Sequence, residues 1–189
     1  MKMIKVEKKD IFTIPNILSY IRILLVPIFV YMYLKAETPQ EYMLSAGIVL
    51  LSSLTDCFDG FIARKFHMIT ELGKLIDPVA DKLMQVAMLL VLLIKIDWMI
   101  WIVILFLVKE GFMFLAGLFM LRKGRKLDGA KWYGKVSTAF LYVVMIVIIA
   151  IPNIDHKLMQ GLMGASAVLL ALSFVMYGLE YVKMYRSIK

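Results

Sequence analysis

Runs of about 20 predominantly apolar residues recur along this chain, and that recurrence most constrains what it can fold into. A run of that length crosses the hydrocarbon core of a bilayer as an α-helix, where every backbone N–H and C=O must find its partner inside the segment. Six such runs fall at 14–34, 42–63, 75–94, 98–121, 132–151 and 158–182. Short polar turns separate them: KAETPQE, RKFHMITELGK, KID, RKGRKLDGAK and PNIDHK. With 62% of its 189 residues hydrophobic, the chain lacks the polar cover a soluble domain of this size needs. The pattern predicts an all-α fold, an integral membrane bundle of six transmembrane helices forming a single domain over 1–189.

The start, MKMIKVEKKDIF, has too short an apolar stretch for a signal peptide, and Pro15 interrupts its continuation, so the first span is expected to be retained. Within 1–13, Ile4, Val6, Ile11 and Phe12 alternate with lysines, which predicts a short amphipathic helix lying on the membrane surface. Cys57 is the single cysteine, so no disulfide can form within the chain.

A formal net charge of +8 invites a nucleic-acid reading, but the positions of the charges argue against it. The basic residues gather at span ends rather than on one continuous face, where anionic headgroups explain them better. Sixteen of the 22 lie on one side of the spans and three, Lys35, Lys95 and Lys157, on the other. That asymmetry predicts cytoplasmic N- and C-termini. The remaining three, Arg22, Lys82 and Lys109, fall inside spans.

Four aspartates interrupt this apolar company, Asp56 and Asp59 at the end of the second span and Asp77 and Asp81 at the start of the third. The topology puts all four near the cytoplasmic leaflet. A separation of three residues in one pair and four in the other puts each pair on one helix face, and the short loop between the spans lets the faces meet. Four carboxylates in a low-dielectric site repel one another unless cations join them. The donors are all oxygen, which points to Mg²⁺, Mn²⁺ or Ca²⁺ rather than zinc. Two such ions side by side typically clamp a phosphate or pyrophosphate during a displacement. Gly60 and Gly73 leave room for helices and a ligand to approach, and Arg64, one turn past Gly60, is placed to pair with a phosphate oxygen. The competing reading, an ion or proton path in a transporter, predicts acids spread through the depth of the bilayer.

The pattern Asp56-x2-Asp59-Gly60-x2-Ala63-Arg64-x8-Gly73-x3-Asp77-x3-Asp81 resembles the signature of the CDP-alcohol phosphatidyltransferases, with every defined position filled. The resemblance implies six membrane helices with cytoplasmic ends in the cell membrane. It also implies a homodimer and transfer of a phosphatidyl group from CDP-diacylglycerol to an alcohol with release of CMP. Carried over by residue, it makes Asp56, Asp59, Asp77 and Asp81 ligands of two Mg²⁺ or Mn²⁺ ions, Asp81 also the general base, and Gly60, Ala63, Arg64 and Gly73 the lining of the CDP site.

The acceptor is less fixed. The opening of the first span, TIPNILSYIRILLVPIF, is similar to the first helix of the phosphatidylglycerophosphate synthases, whose acceptor is glycerol 3-phosphate. A phosphorylated acceptor needs cations, and Arg22, Lys109, Lys135 and Arg125 are the candidates, the first three because an idle cation in a span is costly. Where that subfamily usually has Arg-Glu and Lys-x-Lys-Thr, this chain has Lys109-Glu110 and Lys135-Val136-Ser137-Thr138. The second form resembles eukaryotic-type cardiolipin synthases, which use phosphatidylglycerol. Glycerol 3-phosphate is ranked first and phosphatidylglycerol second.

Overall fold

The computed structural model describes residues 12–66, 68, 70–124, 129 and 131–187. Six helices account for most of them: α1 (Ile14–Lys35), α2 (Pro39–Lys65), α3 (Gly73–Lys95), α4 (Met99–Arg122), α5 (Trp132–Ala150) and α6 (His156–Arg186), with no strand among the described residues. Each coincides with one expected span to within a few residues. The surface helix expected over 1–13 falls almost wholly outside the described residues.

Local chemistry sets the boundaries that apolarity left open. Helix α2 begins at Pro39, ahead of its apolar run, because Thr38 and Glu41 form a reciprocal capping box and Pro39 supplies the fixed φ of a first turn. Helix α6 begins at His156 because Asp155 accepts from the Lys157 and Leu158 N–H groups at 3.0 and 3.1 Å. Five helices, α1, α2, α4, α5 and α6, are long and apolar enough to cross a membrane. Helix α3 has 23 residues, a length of about 34 Å at the usual rise. Its first half carries Asp77, Asp81 and Lys82, so no equally long apolar stretch remains.

The chain forms two compact units, Met1–Leu92 with Ile149–Pro152 and Leu93–Ile148 with Asn153–Lys189. In the first, α1 and α2 pack along each other. The buried stripe of α1 changes character along its length, from Asn16, Ser19 and Arg22 near the start to Phe29 and Tyr33 near the end. Tyr33 stands edge-on to Tyr42 of α2, ring centroids 5.5 Å apart. Buried residues on α2 include Ser45, Ala46 and Ser52, small side chains that suit close helix approach.

In the second unit α4 packs on α6 through aromatics: Phe112 lies edge-on to Phe174 at 5.2 Å and to Tyr181 at 5.9 Å. The start of α5 is fixed by Tyr177 of α6, whose hydroxyl accepts from the Lys131 N–H at 3.0 Å. A Cβ on Gly134 would stand 2.3 Å from that hydroxyl, so the close approach requires glycine. Large apolar side chains such as Trp101, Phe114 and Leu115 point outward, as lipid-facing residues do.

Candidate active site

The site lies in the first unit and draws on three helices. Helix α1 supplies Asn16, Ser19 and Arg22 on one face; α2 supplies Asp56 and Asp59 near its end; α3 supplies Gly73, Asp77 and Asp81 in its first turns. The two aspartate pairs thus lie on successive helices, near the end of α2 and in the first turns of α3.

The three helices meet at the Arg22 guanidinium. Its Nη1 donates to Asp56 Oδ1 at 2.6 Å and also to Asp81 Oδ1, while Nη2 donates to Asp59 Oδ2. Arg22 is 1% exposed, and its Nε is buried with no partner among the described residues. A buried cation of this kind survives in a membrane helix only because carboxylates neutralise it. Exposure divides the cluster into a floor and a rim. Asp59 has a side chain 3% exposed beneath the guanidinium, whereas those of Asp56 and Asp81 are 47% and 48% exposed. Asp77 is held separately, accepting from the Ser19 hydroxyl, which also lies 3.0 Å from the Pro15 carbonyl.

A second junction fixes where α3 starts. Thr70 Oγ1 accepts from the Gly73 N–H at 2.9 Å, capping the helix, and Asn16 Nδ2 donates to the same oxygen at 3.1 Å. A Cβ on Gly73 would meet Asn16 Oδ1 at 2.6 Å. Gly73 is thus the contact that lets α3 begin directly against α1, one turn before Asp77 faces Ser19.

The remaining expected residues are placed as follows. Gly60 and Ala63 are half-buried on α2 beside the aspartates in sequence. Arg64 lies on α2 with its side chain outside the described parts, and Arg125 lies outside the described residues. Lys109 and Lys135 belong to the second unit. There Lys109 is buried, its Nζ 2.9 Å from Glu110 Oε1, and Lys135 is exposed in the first turn of α5. Sequence reasoning missed Asn16, Ser19 and Thr70. The signal for the first two was present: Thr13, Asn16, Ser19 and Arg22 recur every third residue at the start of an otherwise apolar span.

A donor set of carboxylates alone, already gathered on one cation and open on two of its members, is chemically suited to a hard divalent ion. Among the described residues no three acidic side chains stand together at metal-ligand spacing. Asp56, Asp59 and Asp81 surround the guanidinium instead. The acids are also concentrated at one place in the first unit, unlike the distributed acids of an ion path.

Comparison with known proteins adds the chemistry. Residues 12–177 match the family model for CDP-alcohol phosphatidyltransferases. A CDP-diacylglycerol–glycerol-3-phosphate 3-phosphatidyltransferase of Rickettsia bellii is 40% identical over 84 residues, 44% of this chain and 46% of that protein. A cardiolipin synthase (CMP-forming) of Streptomyces coelicolor is 31% identical over 136 residues, 71% of this chain and 63% of that protein. A CDP-diacylglycerol–glycerol-3-phosphate 3-phosphatidyltransferase of Salmonella paratyphi A is 34% identical over 150 residues, 76% of this chain and 80% of that protein. The match thus spans about half to two thirds of the first two relatives and four fifths of the third.

Proposed function

The chain belongs to the CDP-alcohol phosphatidyltransferase family, and on that premise we propose that it transfers the phosphatidyl group of CDP-diacylglycerol to glycerol 3-phosphate, forming phosphatidylglycerophosphate and CMP. The observation that carries the reading is the family match over 12–177, in which three of the four signature aspartates gather on one buried cation with an open rim. Relatives that act on glycerol 3-phosphate by name support the acceptor.

In this reading Asp56, Asp59, Asp77 and Asp81 hold two Mg²⁺ or Mn²⁺ ions, which when bound neutralise the pyrophosphate and the charge developing on departing CMP. Asp81, half exposed on the rim, takes the proton from the acceptor hydroxyl. The hydroxyl oxygen then bonds to the phosphorus that carries diacylglycerol, and the bond from that phosphorus to CMP breaks. Asp59 on the buried floor stays fixed, and Ser19 orients Asp77 by donating to it. In the same reading Gly60 and Ala63 would leave space for the nucleotide, and Arg64 is the candidate partner for its phosphates. The basic side of the chain supports a site facing the cytoplasm, in a multi-pass protein of the cell membrane with both ends inside. The family resemblance supports a homodimer.

A second acceptor, phosphatidylglycerol, is favoured by one feature, the sequence Lys135-Val136-Ser137-Thr138, together with similarity to a cardiolipin synthase. Release of CMP from CDP-diacylglycerol by purified protein in detergent separates the two. Glycerol 3-phosphate and phosphatidylglycerol are supplied separately, each with Mg²⁺, with Mn²⁺ or with EDTA. Metal-dependent release with glycerol 3-phosphate alone is expected. Release with phosphatidylglycerol alone would replace the acceptor, and release undiminished in EDTA would remove the metals.

A further inference from the structure

The mechanism proposed for the aspartates does not use Arg22, although among the described residues it is the most deeply buried charge in the first unit. We propose that Arg22 is a tethered counter-cation of the aspartate cluster, which competes with divalent ions for the same carboxylates and so sets the affinity of the site for metal. The inference rests on the metal reading above and concerns what this chain does to it.

Three observations carry it. First, one guanidinium serves Asp56, Asp59 and Asp81, three of the four proposed ligands, from a helix that contributes none of them. Second, those carboxylates are spaced around the guanidinium rather than at metal-ligand spacing, so closing on a metal ion means loosening from Arg22. Third, among the described residues the guanidinium has no other polar anchor. Its described hydrogen bonds all go to these carboxylates, and Nε is buried without a partner. A side chain held only by the groups that a metal would take loses its neutralising partners when they are taken, and that cost opposes metal binding.

Charge explains why such a device is useful. Four ionised aspartates at one depth repel strongly, and a single positive charge among them offsets part of that repulsion. A doubly charged ion attracts the same oxygens more strongly, and Asp56 and Asp81 offer it an approach from the rim. Whatever Arg22 contributes to the cluster must be given up when metal binds, so by linkage the metal binds more weakly by the same factor. Arg22 is therefore a positioning residue. A simple structural role predicts unchanged or weakened metal binding when it is removed, and a role confined to holding the acceptor predicts a change in acceptor KM alone.

The test uses the full chain in detergent with Mn²⁺ as the only added ligand, titrated by electron paramagnetic resonance of the free ion. Thermal unfolding is followed in parallel in EDTA and in saturating Mn²⁺. Arg22→Gln is expected to bind Mn²⁺ about tenfold more tightly than wild type, within the usual range of such couplings. It should also melt lower in EDTA and gain more on adding Mn²⁺. Arg22→Lys keeps a charge but cannot bridge three carboxylates, and is expected to fall between the two. It carries the test by itself if Arg22→Gln does not fold. Unchanged or weaker Mn²⁺ binding in the folded variants overturns the inference while leaving the metal site standing. Failure of wild type to bind Mn²⁺ at all overturns both readings together.

Discussion

Among the described residues each of the two units buries one cation in a membrane helix, and they neutralise it in opposite ways. In the second unit Lys109 on α4 is answered by Glu110, the next residue on the same helix, at 2.9 Å. In the first, Arg22 on α1 is answered by Asp56 and Asp59 from α2 and Asp81 from α3, residues 34 to 59 positions away in sequence. A neighbouring pair travels with its helix and needs no other element to be neutral. A cation shared among three helices is neutral only when all three are assembled, and its partners can be reached from outside. The first arrangement suits burial of a charge; the second suits exchange of one cation for another, as the proposed metal site would require.

The largest expected effect tests whether the shared cluster is chemical. Asp81→Asn keeps the shape of the side chain and removes the proposed base. Loss of a positioned general base typically lowers turnover by about 10²- to 10⁴-fold, and a fall of that size is expected in CMP release. The thermal midpoint should move far less, because Asp81 sits half exposed on the rim. Turnover within a few-fold of wild type would mean that the rim carboxylate is only a partner for Arg22, and the contrast between the units would lose its functional meaning.

Next in size are the two glycines that start helices, one in each unit. A Cβ on Gly134 would strike the Tyr177 ring, with Oη at 2.3 Å and Cε2 at 2.7 Å, whereas one on Gly73 would strike the amide oxygen of Asn16 at 2.6 Å. A buried aromatic ring has little room to yield, so Gly134→Ala is expected to destabilise by about 1–3 kcal/mol, the usual cost of overpacking. Its activity should fall only as folded protein is lost. Gly73→Ala is expected to cost less stability but more activity, because moving Asn16 or the start of α3 shifts Asp77 and Asp81 relative to Ser19 and Arg22. Asn16→Ala in the same chain should restore part of the stability, since the two sites are in contact and their effects are not independent. Thermal unfolding and CMP release on the three variants check this. Equal losses of activity per unit of stability in both units would show that the Gly73 junction positions nothing.

These contrasts also mark what the amino-acid sequence discloses. All six helices were legible, because hydrocarbon requires a run of about 20 apolar residues and permits no open backbone. The four aspartates were legible for the converse reason: ionised groups in such a chain need partners, and their spacing named the shared faces. The role of Arg22 was half legible. Its cost in a span marked it as a residue with a task, and the sequence named it among the acceptor candidates, but its carboxylate partners lie on two other helices. Thr70 was not legible at all, and Asn16 only as one of the polar residues recurring at every third position of α1, since a hydrogen bond across 54 residues and a missing Cβ on Gly73 have meaning only once α1 and α3 are side by side. Helix boundaries fell between these cases, with Thr38 and Asp155 as readable caps that apolarity alone passed over.

Those two caps supply the smallest effect and the finest comparison. Asp155 Oδ2 accepts from two N–H groups at 3.0 and 3.1 Å, whereas Thr38 Oγ1 accepts from one, the Glu41 N–H, at 3.4 Å. Loss of a helix N-cap typically costs about 1 kcal/mol, so Asp155→Ala should lower stability by about that amount. Thr38→Ala should lower it by less, because its bond is long and the Glu41 carboxylate still accepts from the Glu37 and Thr38 N–H groups at 2.7 and 3.1 Å. Neither cap approaches the aspartates in sequence, and CMP release per folded molecule should not change in either variant. Thermal unfolding of the pair decides the order. If Thr38→Ala proves the more costly, then the start of α2 depends on the closed box rather than on either bond alone. Helix α2 carries Asp56 and Asp59, so its cap would then belong with the elements that hold the site in register.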